Sequence, residues 1–139
     1  MNFLRIGLAS LAAFVAYMVL GGLMFAAIPS LKSEFLKYPA VYRNSEGQMS
    51  HMPAGMVGML LSIVALSILY AMIGKAGSGV VNGVIFGALV GIYSVGSFVI
   101  HNYVNLNIGL RITILSAISF FIEWTVVGIV IGLIYKPAH

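Results

Sequence analysis

Hydrophobic positions along this chain do not alternate with polar ones. They gather into four long blocks, residues 3–28, 54–73, 80–100 and 112–135, separated by short polar stretches. A helix needs roughly 20 residues to cross a hydrocarbon core. Each block meets that length. Membrane strands would be about ten residues long with alternating polarity, and these blocks are twice that. The pattern predicts an all-α, integral membrane fold: one four-transmembrane-helix bundle covering the 139 residues as a single domain.

Proline marks the edges of the blocks. Pro29 follows the first, Pro53 opens the second and Pro137 follows the fourth, so no block holds an internal proline. Unbroken helices argue against transporter folds built on interrupted helices. The connection 29–53 is the longest and most charged, with Lys32, Glu34, Lys37, Arg43 and Glu46. Leu31 and Phe35 share a helical face there, with Tyr38 one turn on, which suggests a short helix lying in the interface. A polar loop is the simpler alternative. Asn44-Ser45-Glu46-Gly47 reads as a turn. The Gly/Ser-rich stretch from Gly74 to Gly79 reads as a tight hairpin between the second and third blocks.

Composition agrees with the pattern. The chain is 61% hydrophobic and 7% charged, with mean hydropathy +1.09. A soluble domain of this size would carry far more charge. The absence of cysteine removes disulfides, thiolate metal sites and thiol catalysis. The net charge of +4 is dispersed, so no nucleic-acid partner is expected. The first block is too long for a signal peptide and lacks a small-x-small cleavage site, and it is expected to remain as a span. Four spans put both termini on one side. Lys and Arg number three on that side (Arg5, Lys75, Lys136) and four on the other (Lys32, Lys37, Arg43, Arg111). The latter are diluted over a longer segment, so both termini are expected in the cytoplasm.

Two features inside the blocks carry the chemistry. Gly79, Gly83, Gly87 and Gly91 recur every four residues along one helical ridge, a glycine-zipper pattern that lets a neighbouring backbone approach closely. In the fourth block, Ser116, Ser119 and Glu123 fall on one stripe. Ala117, Trp124, Gly128 and Gly132 fall on a roughly opposite one, and Trp124 is a candidate to fill the groove left by the third-block glycines. Glu123 is read as the one acidic group without easy access to water. A charge at the bilayer centre costs about 2.5–3.5 kcal/mol on insertion scales, which makes such a residue a functional-site candidate by default. No Lys, Arg or His shares its depth, so the carboxyl is expected to be neutral and hydrogen-bonded. Tyr17, Ser62, Tyr93 and Ser94 lie at comparable depth. A satisfied structural hydrogen bond, proton or cation coupling, and recognition of a partner subunit remain open for it.

Met49, His51, Met52, Met56 and Met59, with His101 on the same side of the membrane, offer soft ligands that suit Cu(I). Methionine is also an ordinary apolar filler. The packing reading is preferred, no metal or other cofactor is expected, and haem ligation by His51 and His101 is weaker still. The sequence holds no metalloprotease motif, nucleophile elbow, phosphate loop or paired carboxylates.

The stretch Gly128-Ile-Val-Ile-Gly-Leu-Ile-Tyr-Lys-Pro137, with the spaced glycines of the third block, resembles a group of small bacterial four-helix membrane proteins of unknown function. The resemblance covers the C-terminal half. It implies four spans and an intact C-terminus near the membrane and supplies no activity; a bacterial inner membrane is the expected location. The function expected from the residues is non-catalytic: an accessory or assembly subunit of a membrane complex, or a homo-oligomer, with lipid and other membrane helices as partners. A small transporter or channel using Glu123 as a protonatable site is the alternative.

Overall fold

The computed structural model describes residues 2–73 and 79–135. Among them every regular element is helical: α1 (Phe3–Ala27), α2 (Pro29–Leu36), α3 (Ser45–Ile73), α4 (Gly79–Ser94), a π-helical segment (Val95–Ile100), α5 (His101–Asn105) and α6 (Leu110–Ile134). The π segment and α5 continue α4, so four helices are long and apolar enough to cross a membrane: Phe3–Ala27, Ser45–Ile73, Gly79–Asn105 and Leu110–Ile134. The hairpin expected at Gly74–Gly79, with Lys75, falls largely outside the described residues, as do Lys136 and Pro137.

Local chemistry sets the helix ends. The Asn2 side chain accepts from the Arg5 amide and caps α1. Pro29 begins α2, where its missing N–H costs nothing. The Asn44-to-Gly47 stretch is not a free turn. The Asn44 carboxamide oxygen accepts from the Gly47 amide at 2.8 Å, and α3 starts at Ser45 with Glu46 in its first turn. The second apolar block is therefore the inner part of a longer helix, and Pro53 lies inside it rather than at its start. The missing proline donor leaves one carbonyl, that of Met49, without its helical partner. This stretch is exposed and lies next to the polar connection, so water can satisfy that carbonyl.

α6 is the centre of the molecule. It packs along α4 and α1 and also touches α2 and α3, while α3 leans chiefly on α1. The core joins Ile6, Ala9 and Ala13 of α1, Ile63 and Tyr70 of α3, Phe86 of α4, and Trp124, Val127 and Ile131 of α6. Tyr70 draws the helices together at the end of the bundle that holds the chain termini. Its ring meets Phe86 at 5.2 Å and Tyr135 at 6.4 Å, and its hydroxyl donates to the Gly79 carbonyl. At the opposite end α3 stands apart: from Ser45 to Gly58 every residue is exposed except half-buried Gly47.

The α4–α6 seam is backbone on backbone. A methyl group added at Gly83 would lie 2.5 Å from the Gly128 carbonyl oxygen, and one at Gly87 2.5 Å from that of Trp124. Gly79 and Gly132 face each other in the same way, and Gly91 lies against Phe121. No side chain fits between the helices at Gly79, Gly83 and Gly87, so close van der Waals contact between two helical backbones holds the seam there. Trp124 offers the seam only its carbonyl. Its ring does not fill the α4 groove, because the backbone of α6 already occupies it. The ring turns to α1 and meets Tyr17 at 5.6 Å.

Candidate functional site

The opposite side of α6 faces α1 and α2 across a cavity of about 190 Å³. Glu123, Ser119 and Ser116 line it from α6, Tyr17 and Gly21 from α1, and Leu31 and Phe35 from α2. Their placement follows from helical geometry. Ser116, Ser119 and Glu123 recur at three- and four-residue steps, and so do Tyr17 and Gly21. Glu123 stands 13 residues from Leu110 and 11 from Ile134 within α6, so it lies near mid-depth, about 20 Å and 17 Å from the helix ends at 1.5 Å per residue.

Glu123 is buried. Its carboxyl lies over Gly21, where an added methyl would come within 3.1 Å of Oε1. The hydroxyl of Tyr17 interacts with it from one turn away on α1. Among the described residues Glu123 forms no ion pair. Of the four residues expected at its depth, only Tyr17 reaches it. Ser62 is exposed and donates to the Gly58 carbonyl of its own helix, Tyr93 is 73% exposed, and Ser94 belongs to α4 on the far side of α6. The indole N–H of Trp124 is buried and finds no acceptor among the described residues.

α2 closes this region from the loop side. Leu31 is buried, and the Phe35 ring meets Phe25 of α1 at 6.1 Å and Tyr42 at 4.7 Å. Glu34 corrects the sequence reading that Glu123 alone is withdrawn from water, because Glu34 is 2% exposed. It is not alone there. Lys37 approaches it to 2.5 Å and Arg111, at the start of α6, to 3.5 Å. The Tyr38 hydroxyl accepts from the Gly109 amide at 2.9 Å. Two polar links therefore fasten α2 to the beginning of α6. The sequence carries a signal only for the local Glu34–Lys37 pair, since the two are one helical turn apart. Nothing in it pairs Glu34 with Arg111.

A second cavity, of about 250 Å³, adjoins the first and shares Phe35, Ser116 and Phe120 with it. Asn102, Thr113 and Tyr42 line its other parts. Burial, followed by the neighbouring Tyr38, holds the Tyr42 hydroxyl above its ordinary range. It is a neutral hydrogen-bonding group at physiological pH. The polar residues of α6, from Thr113 through Ser116 and Ser119 to Glu123, thus run along the walls of two adjoining cavities.

The soft-ligand candidates lie on α3 and, for His101, on α5. Met49, Met52 and Met56 are exposed along α3, and Met59 packs against the core. Nδ1 of His51 is engaged with the Gly47 carbonyl and the Ser50 hydroxyl. His101 begins α5 and is exposed.

Known proteins add nothing to this geometry: no family model, curated protein or solved structure matches the chain.

Proposed function

We propose that the chain is a non-catalytic membrane protein that works by helix association, as a small accessory or assembly subunit of a membrane complex or of a homo-oligomer. The observation that carries this reading is the unpacked half of α3. Ala54, Gly58 and Ser62 form a small-residue stripe at four-residue spacing, all exposed, and nothing lies within 4 Å of the methyl positions at Gly55 and Gly58. The glycines of the α4–α6 seam are used up inside the chain, whereas these are open to a neighbour. In lipid, small residues let a second helix approach closely. An apolar groove of about 490 Å³ between the π segment and α6 offers a further lipid-facing recess. In this reading the seam is a glycine zipper that builds the protomer, and α3 serves the assembly. The membrane is a bacterial inner membrane and the termini lie in the cytoplasm, supported by the chain's resemblance to small bacterial four-helix proteins and by the concentration of Arg5, Lys75 and Lys136 in short segments.

The test is mass measurement of the protein withdrawn from its native membrane in mild detergent, with chemical cross-linking beforehand. A stable species containing a second polypeptide or several copies of this one is expected. A protein that remains monomeric at native abundance, with no cross-linked neighbour, would remove the reading.

A further inference from the structure

We propose that the cavity around Glu123 is a binding site for a small organic cation, an amine or a quaternary ammonium ion. This goes beyond the assembly role and does not depend on it. Four aromatic side chains, Tyr17, Phe25, Phe35 and Phe120, surround the space that Glu123 enters, and Ser119 adds a hydroxyl. An entering cation favours the ionised form of Glu123, which gives its proton to water and supplies the counter-charge, and aromatic rings attract cations through their negative faces most strongly where water is excluded. An inorganic cation would need a shell of oxygen ligands. This wall holds one carboxyl and a few hydroxyls among carbon atoms, which suits a cation clothed in methyl or methylene groups. The volume of about 190 Å³ sets the scale at a small alkylammonium ion. The carboxyl has no cationic partner among the described residues, and the glycine at position 21 leaves the room in which it stands. The adjoining cavity, which shares Phe35, Ser116 and Phe120, lies toward the polar connections and marks the side of entry.

The chain carries its own reporter. Trp124 is the sole tryptophan, and its ring packs on Tyr17, one of the lining residues. The full chain in lipid nanodiscs is titrated with tetraethylammonium chloride, with 3,3-diethylpentane as the uncharged molecule of the same shape and sodium chloride as the ionic-strength control. Trp124 fluorescence and equilibrium dialysis of labelled tetraethylammonium are read in parallel. Saturable binding of one cation per chain is expected, with no comparable response to the hydrocarbon or to sodium. Glu123→Gln should weaken binding at least tenfold, and Phe35→Leu should weaken it severalfold while leaving the carboxyl in place. Gly21→Ala, which intrudes on Oε1, should also weaken it. Absence of saturable binding to the unaltered protein would overturn the proposal. So would an unchanged affinity in Glu123→Gln, or equal binding of the hydrocarbon. If Glu123→Gln does not fold, unchanged affinity in both Phe35→Leu and Gly21→Ala overturns it.

Discussion

At the scale of single residues, two buried carboxyls of different character decide how this molecule responds to substitution. Glu123 faces protein at mid-depth with Tyr17 as its polar neighbour. Glu123→Gln keeps the size and the hydrogen-bonding capacity, so the thermal midpoint in detergent should stay within a degree or two of the parent. Glu123→Leu strands the Tyr17 hydroxyl and should cost roughly 1–2 kcal/mol. Equal midpoints for the two variants would mean that the carboxyl has no structural partner. Glu34 is more buried but has two cations beside it, both largely exposed on their own side chains. Arg111→Met should therefore cost less than about 1 kcal/mol, because Lys37 remains and the lost pair is close to water. Glu34→Leu should cost more, since both cations lose their partner and α2 loses its tie to α6. Chemical denaturation of the three proteins side by side orders them; a larger loss from Arg111→Met than from Glu34→Leu would contradict the geometry. The sequence shows why one of these residues was found and the other missed. A carboxyl in a long apolar block stands out by contrast. Glu34 sits in the most charged stretch of the chain, where an inward-facing acid looks like any solvated one. Its burial depends on Arg111 and on the docking of α2, both set by tertiary packing.

At the scale of elements, the α4–α6 seam is the most constrained contact. Gly87→Leu would force a branched side chain into the backbone of Trp124 and Thr125. Overpacking typically costs about 1–3 kcal/mol, and here the obstacle is main chain that cannot rotate away, so the upper end is expected. Val84→Leu, on the exposed side of the same helix, should be nearly neutral. Thermal unfolding followed by circular dichroism in detergent separates them, and coincident curves would rule out a tight seam. Four helices and the glycine ridge were legible because length and four-residue spacing are local properties. The extension of α3 back to Ser45 was not, since Pro53 is a strong stop signal whose cost vanishes only where solvent can reach the freed carbonyl. Nor was the direction of the Trp124 ring. A helical wheel places residues on faces, but the close approach of α4 leaves no room there for an indole.

At the scale of the whole molecule, the helices do not form an evenly closed bundle. They converge around Tyr70 at one end, while the first half of α3 stands free at the other. Gly58→Leu should then leave the protomer's stability unchanged, because nothing lies within 4 Å of a Cβ at this position and the surrounding stretch of α3 is exposed. It should still reduce the cross-linked or higher-mass fraction recovered from the membrane by severalfold. An undiminished higher-mass fraction would show that this half of α3 meets only lipid, and a loss of protomer stability would show that it packs within the chain. The centrality of α6 has a consequence for how the protein is made. The helix on which α1 and α4 pack leaves the ribosome after both of them. At roughly 5–20 residues per second, the earlier helices wait several seconds in the bilayer with their glycine faces bare. During that interval the helices have only the contacts that bypass α6: α1 with α3, Phe25 with Phe35 of α2, and Tyr70 with Phe86 of α4. The nascent chain is therefore an insertion intermediate that lipid or a membrane chaperone must shelter, and a ribosome stalled before α6 would leave behind a product ready for quality-control proteolysis.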